Sequence, residues 1–255
     1  MEFQTIKGES VTSLGLGTWR LSGEECAGIV ENALSVGYRH IDTAEMYGNE
    51  EYVGEGIEKS GVDRGDIFLA TKVWSNHLSH KDVLRVADDS LRKLDTEYLD
   101  LFMIHWPGST PLGETLGAMG ELKEAGKIKH IGVSNFSASL MEKASEHAEI
   151  SCNQVPYSPY DDQSELLEQA GKMDYLLTAY SPIAKGRVAK DPTLEEIGKN
   201  HGKTPVQITL RWLVQQNKVA AIPKASSEER LKANLDISDF ELSEEEMGRV
   251  YALAR

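Results

Sequence analysis

A chain of 255 residues with 40% apolar and 27% charged content can bury a full core, and single α/β barrels commonly run to about that length. Its formal net charge of -14 argues against nucleic acid or an anionic membrane as partner, since such binding needs clustered Lys and Arg. The apolar runs, such as Leu101 to Ile104, are too short to span a bilayer, the segment from Met1 to Lys7 lacks the features of a secretory signal, and Cys26 and Cys152 have no CxxC spacing, so a cytoplasmic chain with two buried free thiols is expected.

Lys7-Gly8-Glu9-Ser10 between two mixed segments predicts an N-terminal β-hairpin covering one end of the domain. From there a pattern recurs: a short apolar run, a polar residue at its end, then an amphipathic helix. Leu14–Trp19 is the first such strand, and Ser22 with Glu25 predicts a capping box opening a helix whose core face holds Cys26, Ile29, Val30, Ala33 and Leu34. Gly37 ends that helix, a strand runs to Asp42, and a helix is expected over Glu50–Lys59. Ile67–Thr71 leads to Lys72. Ser79 and Asp82 open a helix with Val83, Val86, Ala87, Leu91 and Leu94 inward, and Leu99–Ile104 leads to His105. Further strands end at Ser134-Asn135, Gln154, Tyr180 and Lys224, with helix starts at Ser137, Asp191-Pro192, Thr204-Pro205 and Ser243 with Glu246. The terminal helix is expected to carry Met247, Val250, Tyr251 and Ala254. Eight such units predict one domain, residues 1–255, folded as a (β/α)8 TIM barrel with its site at the C-terminal strand ends.

At that face the pattern gathers Asp42, Tyr47, Lys72 and His105. Singly, each has an ordinary reading: a cap, a half-buried aromatic, a solvated ammonium, a packing imidazole. Together they make a proton donor. An unperturbed Tyr holds its proton to about pH 10, so a Lys beside it is needed to favour the phenolate, and an Asp beside the Lys keeps the ammonium charged despite burial.

Asp42-Thr43-Ala44-Glu45-Met46-Tyr47-Gly48, Thr71-Lys72, Ile104-His105-Trp106 and Ile131-Gly132-Val133-Ser134-Asn135-Phe136 closely resemble the aldo-keto reductase family, and the similarity covers nearly the whole chain. The resemblance implies an NAD(P)H-dependent carbonyl reductase in which Tyr47 gives the proton, Lys72 and Asp42 tune it, and His105 orients the carbonyl. It implies that Ser134, Asn135 and Gln154 hold the nicotinamide carboxamide and that Tyr180 stacks on the ring. Gly17, Thr18, Trp19, Asp42, Ser181, Pro182 and Ile183 would also face the cofactor. Ile222–Asn234 resembles the family's adenosine-phosphate motif, which assigns Lys224, Ala225, Ser226, Ser227, Arg230 and Asn234 to it. A helix start with Ser227, flanked by Lys224 and Arg230, is an anion site on physical grounds, so NADPH is expected over NADH. Ala225 and Ala233 stand where many relatives carry Ser and Glu.

Trp19, Trp74 and Trp106, with Tyr47 and His105, are expected to line the substrate pocket. The chain ends at Arg255, soon after its terminal helix, which predicts an open pocket and a permissive choice of small carbonyl substrates; a monomer is expected. Two other readings stand beside this one. A metal-dependent hydrolase could use Asp42, His105 and His40 as ligands, but Lys72 would repel a cation, and no metal is expected. A non-catalytic regulator would keep the barrel and cofactor site, and a turnover assay separates it.

Overall fold

In a strand, alternate side chains point to opposite faces, and the apolar runs here are sorted that way. The computed structural model describes residues 3–254; the outermost ends of the expected domain lie outside them. Strands β1 (Phe3–Ile6) and β2 (Glu9–Thr12) form the antiparallel hairpin, turned by Lys7 and Gly8, both at positive φ. Eight parallel strands follow in sequence order: β3 (Leu16–Gly17), β4 (His40–Asp42), β5 (Phe68–Val73), β6 (Leu99–Ile104), β7 (Ile128–Ser134), β8 (Ile150–Pro156), β9 (Leu176–Tyr180) and β10 (Val219–Ala221).

The sheet closes on itself. Leu14 bridges Ala221 in parallel, Gly15 N–H donates to the Ala221 carbonyl at 2.9 Å, and Ala221 N–H donates to Ser13 at 2.8 Å. Gly17 is required at this seam, because a Cβ there would lie 2.7 Å from the Ile222 carbonyl oxygen. The first strand is shorter than the expected Leu14–Trp19; beyond Gly17 the chain is drawn toward β4, where Thr18 N–H and Oγ1 both donate to the Asp42 carbonyl at 3.0 Å.

Outward residues such as Leu69, Val73, Phe102, Ile104, Val133 and Leu177 join the large core beneath the helices. Inward residues make a separate small core in which Ala70, Leu101, Met103, Cys152, Leu176 and Ala220 meet Ile6 and Val11 of the hairpin. The hairpin thus closes the N-terminal end of the barrel with apolar side chains.

Helices α1 (Gly23–Ser35), α2 (Glu50–Ser60) and α3 (His80–Lys93) cover the first strands. Next come α4 (Leu112–Glu124), α5 (Ala138–Ser145), α6 (Ser164–Met173) and α7 (Pro192–His201). The last are α8 (Pro205–Val214), α9 (Glu228–Leu235) and α10 (Glu244–Tyr251). Ser79, Ser137, Asp191, Thr204 and Ser243 cap their helices through the side chain as expected. The box at Ser22 does not form: Gly23 enters α1 at φ 57, and the Ser22 side chain makes no cap hydrogen bond. Nor does α10 bury its full expected face, for only Val250 is buried within it; Tyr251 is 41% exposed and stacks edge-on to Trp212, and Ala254 lies in a following 3-10 turn. No helix among the described residues is long and apolar enough to cross a membrane.

Candidate active site

One step along β5 from Ala70, the next inward side chain is Lys72; the corresponding steps from Met103 and Cys152 reach His105 and Gln154. The barrel interior therefore changes from apolar to polar within a single layer of side chains. Lys72 is fully buried, and its Nζ donates to Asp42 Oδ1 at 2.6 Å and to the Thr43 carbonyl at 2.8 Å. Asp42, 1% exposed, is held from its other oxygen by Gln154 Nε2 at 2.7 Å. Burial opposes the charge on Lys72, but Asp42 and Tyr47 more than offset it and raise the pKa of the ammonium.

Tyr47 ends a 3-10 turn, Glu45–Tyr47, that Gly48 closes at φ 64. The Lys72 Nζ lies 5.3 Å from the centroid of its ring. The electrostatics here depart from the sequence expectation. Desolvation raises the phenol pKa and outweighs the lowering by Lys72, so the net direction is upward. The phenol therefore keeps its proton at neutral pH. His105 meets Tyr47 edge-on at 5.6 Å and Trp74 edge-on at 5.1 Å. Burial, with Lys72 adding to it, lowers the His105 pKa to about 3, so the ring is neutral at physiological pH, and its Nδ1 has no hydrogen-bond partner among the described residues.

A polar chain joins this group to the ends of β7, β8 and β9. Tyr180 OH donates to Asn135 Oδ1 at 2.8 Å, and Asn135 Nδ2 donates to Ser134 Oγ and to the His105 carbonyl, both at 3.0 Å. Ser134 Oγ donates to the Gln154 carbonyl at 2.7 Å. Asn135 holds φ 63 and Ser181 φ 51, left-handed conformations that turn the chain at the strand ends. Pro182 is buried, with Ser181 and Ile183 partly so.

At the seam, Lys224, Ser226 and Arg230 are exposed, whereas Ala225 and Asn234 are buried. Ser227 caps α9, its Oγ accepting from Arg230 N–H at 3.3 Å. Among the described residues, neither Lys224 nor Arg230 is paired with a carboxylate, so both charges are available to an anion at that helix start. Of the expected apolar walls, Trp74 is half-buried against His105, while Trp19 and Trp106 are 42% and 45% exposed. Arg20 stacks over Trp19 at 4.4 Å. His40 packs edge-on to Phe68 at 5.0 Å. A separate cleft of about 290 Å³, lined by Glu9, Arg39, Asp66, Asp100 and Lys129, opens at the hairpin end and shares no residue with this group.

Sequence reasoning did not find the Thr43 carbonyl as the third ligand of the Lys72–Asp42 pair, nor the Gln154 bond to Asp42. It also passed over Glu45, whose Oε2 accepts from Trp74 N–H at 2.8 Å and whose Oε1 lies 2.7 Å from His77 Nδ1. A carboxylate two residues before the Tyr was the available signal.

The family model described as Aldo/keto reductase family matches residues 13–255. The glyoxal reductase of Bacillus subtilis is 40% identical over 242 residues, covering 94% of this chain and 87% of that protein. Among solved structures, a putative 2,5-diketo-D-gluconic acid reductase B superimposes with TM-score 0.98 at 48% identity, covering 100% of this chain and 92% of the other. A variant of the protein Gox0644, solved in complex with NADPH, gives TM-score 0.91 at 36% identity and covers 100% and 95%.

Proposed function

The chain belongs to the aldo/keto reductase family, and from that premise we propose that it reduces small aldehydes and ketones to alcohols with NADPH, Tyr47 giving the proton. The observation that carries this reading is Lys72, wholly buried, with its ammonium between the Asp42 carboxylate at 2.6 Å and the Tyr47 ring at 5.3 Å. An ammonium placed there stabilises the phenolate that is left when the proton departs.

The residues at hand fit a nicotinamide dinucleotide. Asn135, Ser134 and Gln154 present amide and hydroxyl groups at adjoining strand ends, Tyr180 offers an aromatic face, and the start of α9, capped by Ser227, carries the charges of Lys224 and Arg230. When bound there, the cofactor supplies a hydride to the carbonyl carbon. The chain's own part is to place the carbonyl oxygen between Tyr47 and His105. Tyr47 O–H passes its proton to that oxygen, and the phenolate is later reprotonated from solvent. A neutral His105 offers a single N–H without competing as an acid, and with Trp74 it forms the wall that orients the substrate. Asp42 acts through Lys72: it keeps the ammonium charged in a site that would otherwise discharge it.

The test is Tyr47→Phe. NADPH oxidation with methylglyoxal, glyoxal and simple ketones should be lost, while NADPH affinity stays within about threefold of the parent. Turnover by the variant within about tenfold of the parent would assign the proton to another group.

A further inference from the structure

The 3-10 turn that carries Tyr47 contains no buried residue, and Met46 at its centre is 45% exposed. Packing therefore does little to fix the turn between its buried flanks, Ala44 and Asn49. What ties it to the barrel is Glu45. Its side chain is 16% exposed and its carboxylate reaches the loop after β5, with Oε2 accepting from Trp74 N–H at 2.8 Å and Oε1 meeting His77 Nδ1 at 2.7 Å. His77 N–H in turn donates to the Trp74 carbonyl at 2.9 Å, making that loop a compact turn. The Trp74 ring packs edge-on to His105, and His105 packs edge-on to Tyr47. The contacts close a circuit from Tyr47 through Glu45, Trp74 and His105 back to Tyr47.

We propose that Glu45 is a positioning residue for proton transfer, locking the turn that bears Tyr47 to the wall that faces the substrate. The proposal rests on the carbonyl-reduction reading. Its physical ground is that a hydrogen bond holds its partners to a narrow range of distance and direction, and that a reacting group displaced by about 1 Å can cost a hundredfold in rate. Glu45 touches neither substrate nor cofactor in this scheme, so its removal should slow chemistry and leave binding alone.

The experiment is a single-turnover measurement with NADPH preloaded and methylglyoxal as the probe. Glu45→Ala should lower the rate of NADPH oxidation at saturating methylglyoxal by about tenfold or more with NADPH affinity unchanged. Glu45→Gln, which keeps an oxygen for Trp74 N–H, should recover to within about threefold of the parent. A Glu45→Ala enzyme as fast as the parent overturns the inference, as does a loss confined to KM. Equal impairment of the Ala and Gln variants overturns it too, because the charge and not the tie would then matter. A parent that turns over none of the carbonyls overturns the reduction reading and this one with it; an active parent with an active Glu45→Ala overturns this one alone.

Discussion

Replacing Lys72 by Met tests the buried charge pair directly, because the side chains are similar in volume and only the ammonium is lost. Lys72 is fully buried and Asp42 is 1% exposed, so the substitution strands a carboxylate whose remaining side-chain partner is Gln154. Breaking one half of a buried pair costs about 3–5 kcal/mol. For a chain of this size, that corresponds to a fall in Tm of roughly 6–20 °C. Asp42→Asn strands the ammonium in the same way, with the Thr43 carbonyl still accepting from it, and should cost a similar amount. The double variant removes both charges and keeps a polar group for Gln154, so it should be more stable than the sum of the two losses requires, by about 2 kcal/mol or more. Urea unfolding of the four proteins measures this coupling, and NADPH oxidation should be strongly reduced in all three variants. Additivity within about 0.5 kcal/mol would show that the pair does not act as a unit, and the account of how Lys72 stays charged would fall.

Arg230→Ala should weaken NADPH about ten- to a hundredfold and hardly change NADH, since a charged hydrogen bond contributes roughly 1.5–3 kcal/mol; equal weakening of both, measured by fluorescence titration, removes the phosphate assignment. His105 gives a pH signature. Its folded pKa is lowered from the usual 6.5 to about 3, so between those values the unfolded chain binds a proton that the folded chain does not. Stability from this residue is present above pH 6.5 and is lost as the pH falls toward 3. The buried His40 is shifted in the same direction. The slope belonging to His105 is therefore the difference between parent and His105→Asn in urea unfolding across this range, and equal slopes would contradict the neutral imidazole.

Much of this fold was legible because the strands are short apolar runs with a polar terminus, and because several helices begin with a side-chain cap that can be read residue by residue, as at Ser79, Thr204 and Ser243. Helices α4 and α6 lack that marker: they start at Pro111 and Gln163, which make no side-chain cap hydrogen bond. The box expected at Ser22 fails because a cap depends on backbone angles, and Gly23 takes φ 57. In the site, Asp42, Lys72 and His105 follow from the strand-end rule, whereas Tyr47 lies on the turn beyond β4. The links among them were not legible, because the Gln154–Asp42 bond joins residues 112 positions apart and follows from barrel closure. The direction of the Tyr47 shift was also out of reach, since sequence shows which charges are near but not how much water they lose.

The apolar plug at the foot of the barrel bears on the chemistry at its other end. Ile6 and Val11 of the hairpin press against Ala70, Met103 and Cys152, and those three stand one inward step below Lys72, His105 and Gln154. The hairpin is thus an insulator. A water column rising through the barrel would increase the local dielectric and weaken the attraction between Lys72 and Asp42 severalfold, and it would hydrate Tyr47 and His105, whose own desolvation is the first cause of their shifts. Two short strands outside the eightfold repeat, at the end of the barrel opposite Lys72 and Asp42, therefore set the electrical medium around Tyr47.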